Sequence, residues 1–144
     1  MFVFDRSLCV PYRVDQMFEL VNDIASYSKF ITGCISSKIL ERYFGELIAE
    51  MSIRKFGISV VLITRNIITE DKSIILQLVS GPFRYLFGYW CFSPMDKDHS
   101  IVRLYLKFEF STKIFGVSYN FLLKEKISDI VESFLRRAEV IYDR

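Results

Sequence analysis

Two hydrophobic rhythms divide this chain. From Gly116 to Tyr142, Phe121, Leu123, Ile127, Ile130, Val131, Phe134, Ala138 and Ile141 recur mostly three or four residues apart, with Lys124, Glu125, Asp129, Glu132, Arg136 and Arg137 between them. That spacing predicts one long amphipathic helix whose apolar stripe must be covered. From Ile35 to Thr112 the chain instead repeats strand-length apolar segments separated by turn residues, the pattern of an antiparallel meander. The predicted strands are Ile35 to Tyr43, Glu46 to Lys55, Ile58 to Thr69, Ser73 to Ser80, Leu86 to Ser93 and a last one beginning near Val102. That last strand is the clearest, because Val102, Leu104, Leu106, Phe108 and Phe110 alternate with Arg103, Tyr105, Lys107 and Glu109, which turns one apolar face inward.

Ahead of the meander, Phe2 to Cys9 predicts an opening strand ended by Pro11. A short helix follows, with Asp15 as its expected N-cap and Met17, Phe18, Leu20, Val21 and Ile24 as its apolar side. The stretch Tyr27 to Cys34 predicts a second short helical turn, with Tyr27 and Phe30 as candidate lid residues. The economical assembly is α+β, a curved antiparallel sheet of about six to seven strands wrapped around the C-terminal helix. Its concave face would carry Leu62, Thr64, Leu76, Leu78, Trp90, Phe92, Leu104, Leu106 and Phe108 toward Ile127, Ile130 and Phe134.

Length and composition narrow the classes. The 144 residues fit one domain, and half of them are hydrophobic, with fourteen Phe and eight Tyr, so a large core is expected. No uncharged run approaches the roughly 20 residues that span a bilayer, and Asp5 and Arg6 interrupt any secretory signal, so the expected location is cytoplasmic. A net charge of +2 from interspersed acids and bases lacks the footprint of a dedicated nucleic-acid binder, DNA included, and leaves only a local basic patch open. Cys9, Cys34 and Cys91 are odd in number and far apart, which predicts buried thiols rather than disulfides or a zinc site.

Catalytic chemistry finds no support. The one histidine, His99, falls in a polar turn, with no activated Ser or Cys beside it. The carboxylate pairs Glu70 with Asp71 and Asp96 with Asp98 also fall in turns, where backbone hydrogen bonds account for them. Metal, nucleotide and dinucleotide motifs are missing from the sequence, and the expectation is a binder that requires no cofactor rather than an enzyme. Two features remain: the aromatic segment Ser80 to Pro94, SGPFRYLFGYWCFSP, read as a strand edge at a cavity mouth or as core filling, and the stripe of the terminal helix.

Several short motifs fall in a familiar order: VPY at Val10 to Tyr12, MFELVNDI at Met17 to Ile24, the spacing of Tyr27, Phe30, Gly33 and Cys34, TRN at Thr64 to Asn66, GPF at Gly81 to Phe83, the run Gly88, Trp90, Phe92, Pro94, and FEF at Phe108 to Phe110. Together they span almost the whole chain. In them it resembles the bacterial START-like family that takes in the coenzyme Q-binding proteins and the ribosome association toxins, with the closer likeness to the toxin branch. Ser28 and Thr32 stand where that family usually has proline.

The resemblance implies a helix-grip fold over an apolar cavity and two functions. The first is non-catalytic binding of ubiquinone or a related isoprenoid lipid by a carrier or chaperone that supports respiration, with transient contact at the inner membrane. Candidate wall residues are Phe18, Val21, Leu62, Leu78, Trp90, Phe92, Leu106, Phe108, Ile127, Ile130 and Phe134, with Tyr27, Phe30 and Phe83 at the mouth. The second is docking on the large ribosomal subunit to block subunit association, for which Arg54, Lys55, Arg65, Arg84, Arg103, Lys107, Arg136 and Arg137 are candidate phosphate contacts.

Overall fold

The computed structural model describes residues 1–55, 57–111 and 116–143, the side chains of Lys55, Ile58 and residues 116–124 excepted. The elements are β1 (Phe2–Val10), α1 (Val14–Asn22), a 3-10 helix (Ile24–Lys29), β2 (Cys34–Tyr43), β3 (Glu46–Lys55), β4 (Ile58–Ile68), β5 (Ile74–Ser80), β6 (Phe83–Pro94), β7 (Ser100–Phe110) and α2 (Gly116–Tyr142). The seven strands form one antiparallel sheet in the order β1-β7-β6-β5-β4-β3-β2. Hairpins join each strand from β2 onward to the next, and the two helices after β1 carry the chain from one edge of the sheet to the other.

Alternation sets the two faces. In β7, Val102, Leu104, Phe108 and Phe110 are buried while Arg103, Tyr105 and Lys107 lie on the outer side, as a period of two requires. Across the concave face lies α2, whose Ile127, Val131, Phe134 and Ala138 are buried at steps of four, three and four residues. The stripe positions Phe121 and Leu123, with Lys124, lie outside the described side chains, and Thr112 lies outside the described residues. Midway along α2, the guanidinium of Arg6 on β1 donates to Ser128 Oγ at 3.0 Å and pairs with Glu132 at 2.5 Å. At its C-terminal end, the Tyr142 hydroxyl donates to the carbonyl of Gln16 at 2.8 Å, and the Tyr12 hydroxyl to Asp143 at 3.1 Å.

Three expectations are corrected. The N-cap of α1 is Arg13, not Asp15. The Arg13 amide donates to Gln16 Oε1 at 2.9 Å, and Asp15 sits two residues on, within the first turn, where its charge favours the positive helix end. The segment Ser80 to Pro94 is no sheet edge: β6 lies between β5 and β7, and the edges are β1 and β2. Of the three thiols only Cys34 is buried, Cys91 being half-buried and Cys9 exposed beside Met95 Sδ. Cys9 stands at an outward, exposed position of edge strand β1.

Candidate functional site

Between the concave sheet and α2 lies a cavity of about 190 Å³, partly open to solvent. Strand periodicity builds its wall. Ala49, Met51 and Ile53 come from β3, Val60, Leu62, Thr64 and Asn66 from β4, Ile74 and Leu76 from β5, Leu86 and Trp90 from β6, and Leu104, Leu106, Phe108 and Phe110 from β7. Helix α2 supplies Lys126, Ile127, Ile130 and Phe134, and the first two helices and the turn after them supply Val21, Ile24, Tyr27 and Ile31. Half-buried Ile53, Val60, Leu62, Pro82 and Phe83 stand at one end, whereas Val21, Ile24, Ile74 and Trp90 at the other are almost wholly buried. The exposed end is therefore the mouth.

Ten of the expected residues meet on this wall: Val21, Tyr27, Leu62, Phe83, Trp90, Leu106, Phe108, Ile127, Ile130 and Phe134. Four do not. Phe18 lies off the buried side of α1 formed by Met17, Leu20 and Val21, and its ring meets Phe92 edge-on at 5.9 Å. Phe92 shares a face with Trp90 but lies two residues farther along β6, packed beneath α1 beyond the cavity. Leu78 lies past Gln77, where the pairing of β5 with β6 stops, so it packs toward Gly81 instead. Phe30 covers Tyr27 and Phe134 from outside, at ring distances of 6.0 and 5.4 Å, with Arg137 above it.

Tyr27 also departs from its expected place. It is no mouth residue: its side chain is buried, its hydroxyl donates to the Val21 carbonyl, and its ring meets Phe134 edge-on at 5.1 Å. Burial, before the nearby Asp23 and Cys34, pushes its phenol well above the ordinary range. It remains neutral at physiological pH and its proton is already committed.

The wall carries few polar groups. Asn66 is 6% exposed, and the Thr64 hydroxyl donates to its Oδ1 at 2.7 Å. Lys126, 7% exposed, donates through Nζ to the carbonyl of Thr32, beside Gly33. These poles are far apart. Arg54 hydrogen-bonds Gly33 near Lys126, whereas Asn66 pairs with Leu47, and seven residues of strand at ~3.3 Å each span about 23 Å. Neither residue is among the expected ligand contacts. For Asn66 the signal was a polar side chain at a position whose parity in β4 matches Val60 and Leu62; for Lys126, beside Ile127 on the helix, no signal was clear.

Elsewhere the turns are self-contained. Asp96 accepts from the amides of Asp98 and His99 and from the His99 ring, which holds its carboxyl below the usual range. Among the described residues no group of His, Cys, Asp and Glu could hold a metal ion, and no helix is long and apolar enough to cross a membrane. Of the candidate basic residues, Arg54, Arg65, Arg84, Lys107 and Arg136 are exposed, while Lys55 lies outside the described side chains. Arg103 is tied to Asp5 at 2.7 Å.

Comparison with known proteins gives consistent results. Residues 10–135 match the family described as polyketide cyclase/dehydrase and lipid transport. The chain is 40% identical to the ribosome association toxin RatA of Vibrio cholerae serotype O1, over 95% of each chain. It is 39% identical to the persistence and stress-resistance toxin PasT of Escherichia coli strain CFT073, over 95% of this chain and 87% of that one. With the mitochondrial coenzyme Q-binding protein coq10 of Schizosaccharomyces pombe it shares 22% identity over 95% of this chain and 87% of that one.

Solved structures share the fold. A START superfamily protein from Mycobacterium smegmatis superposes with a TM-score of 0.84 at 18% identity, over 96% and 98% of the two chains. The Zhui aromatase/cyclase from Streptomyces does so at 0.75 with 13% identity, over 99% and 97%.

Proposed function

Because the chain belongs to the START-like polyketide cyclase and lipid transport family, and within it groups with the ribosome association toxins, we propose that it is a non-catalytic binder of an isoprenoid quinone or kindred lipid. The observation that carries this reading is the cavity itself, apolar on nearly every side and closed at its inner end. Burial of each methylene contributes about 0.8 kcal/mol, so such a wall holds a greasy guest without specific chemistry. The absence of any activated nucleophile or acid-base pair in the described wall favours binding over cyclisation.

Size defines what is held. An apolar cavity of ~150 Å³ accommodates one benzene ring, so about 190 Å³ takes a substituted ring and little more. That volume suits the ring end of such a lipid, with the tail leaving past Phe83. Protein purified from a quinone-producing host and extracted with organic solvent should release a quinone detectable by mass spectrometry. A lipid-free extract counts against the reading.

A second reading rests on the 39–40% identity to proteins named as ribosome association or persistence toxins. Exposed Arg54, Arg65, Arg84, Lys107 and Arg136 could contact phosphates, an interaction that weakens steeply with salt. Cosedimentation with the large ribosomal subunit at low salt, lost at high salt, is the expected result. Absence from that fraction at low salt removes this reading.

A further inference from the structure

We propose that the Asn66 amide is the donor that recognises the guest, selecting a neutral ring bearing a carbonyl oxygen and drawing it in ring first. The inference rests on the lipid-binding reading and names the chemistry it selects. Asn66 is nine-tenths buried yet lines the cavity. The Thr64 hydroxyl occupies its Oδ1, which fixes the amide plane and leaves the NH2 group as the available function. Among the described residues no protein atom accepts from that NH2, and its nitrogen is not among the fully buried polar atoms that lack a partner, so it keeps surface open to the cavity. A buried donor left unpaired costs about 1–3 kcal/mol, and a guest carbonyl oxygen removes that cost.

Position and charge set the orientation and class. Asn66 stands toward the closed end, with Ile74 and Trp90, away from Phe83 and the mouth. A polar ring oxygen therefore sits deep and an attached chain points out. A carboxylate is disfavoured there, because an ion buried without a partner costs several kcal/mol and Lys126 lies beside Gly33, near the opposite end of β3 from the residue that pairs with Asn66. A plain hydrocarbon is accepted by the walls but leaves the Asn66 amide unmatched. Thr64 is a positioning residue, acting through the orientation of Asn66.

The test uses the whole chain and displacement of an environment-sensitive apolar dye by three probes: a short-chain ubiquinone analogue, an isoprenoid hydrocarbon of equal chain length, and a fatty acid. The wild type should prefer the quinone over the hydrocarbon by about tenfold or more, with the fatty acid weakest. Asn66→Leu should abolish that preference while leaving hydrocarbon binding within about twofold, and Thr64→Val should reduce it partly. Should Asn66→Leu not fold, Asn66→Ala, which removes the donor without adding bulk or charge, serves in its place and should lose the preference likewise. A variant that retains the full preference, or a wild type that prefers the fatty acid, overturns this inference and leaves the lipid-binding reading intact. A wild type that takes up none of the probes overturns both.

Discussion

Gly88 and Leu106 face each other across the β6–β7 ladder so closely that only a hydrogen fits on Gly88. A Cβ there would stand 2.4 Å from Leu106 Cδ2 and 2.3 Å from the carbonyl oxygen of Tyr105. The Leu106 side chain lines the cavity, so it could turn into that space, but the Tyr105 carbonyl belongs to the ladder and cannot move alone. Gly88→Ala is therefore expected to destabilise the fold by about 1–3 kcal/mol through overpacking. A urea midpoint lowered with unchanged slope is the expected measurement, and an unchanged midpoint would show that the ladder yields freely.

Phe134 joins α2 to everything around it. Its ring meets Tyr27, Phe30 and Trp90 edge-on at 5.1 to 5.4 Å, and it is almost wholly buried. Phe134→Ala should cost about 3–5 kcal/mol and lower the thermal midpoint sharply. Arg136→Ala on the exposed side of the same helix should fall within about 0.5 kcal/mol of wild type.

Tyr27 makes an alkaline prediction. Its phenol is raised above the ordinary 10.0 chiefly by burial, so the folded state keeps a proton that the unfolded state releases. Its contribution to stability is complete below pH 10 and is lost as pH rises beyond it. Chemical denaturation between pH 8 and 11 should show a decline that Tyr27→Phe makes shallower. At neutral pH the same variant should be less stable by about 1–3 kcal/mol, because it leaves the buried Val21 carbonyl without its donor.

The acid side has the opposite sign. Asp5, Asp15, Asp71 and Asp96 are all lowered below 3.8, led respectively by hydrogen bonds from Arg103, Arg13, Thr69 and the Asp98 amide. Their contribution is present above the unfolded value and is lost as pH falls through the folded ones. Thermal midpoints should thus drop as pH falls from about 4 toward 2. Asp96→Asn should be less stable than wild type at pH 7 and nearly equal to it at pH 2; a gap that persists at pH 2 would place the effect elsewhere.

How much of this was legible beforehand differs by element. The alternation through Val102 to Phe110 and the four-three-four spacing of Ile127, Val131, Phe134 and Ala138 predicted both halves of the grip, because burial on one face leaves a periodic mark. Phe18 and Phe92 carried the same hydrophobic mark as true wall residues, yet they pack against each other. Hydrophobicity records that a side chain is buried, not whether it meets protein or empty space. Leu78 failed for a different reason: its parity was right, but β5 parts from β6 just before it, and strand divergence has no residue-level sign. Asn66 was hidden in a short motif, and its parity among apolar neighbours acquired meaning only beside an unfilled volume.

The sheet order constrains assembly in time. Phe2 is held by Phe108 and Val10 by Ser100, so β1 finds its neighbour only after the whole meander exists. At roughly 5–20 residues per second of synthesis, this strand waits on the order of 5–20 s for β7 to be made. During that interval its backbone donors and acceptors stay unclaimed. Closure by so distant a pairing slows the folding of this chain and leaves β1 open to wrong partners for as long as β7 is missing.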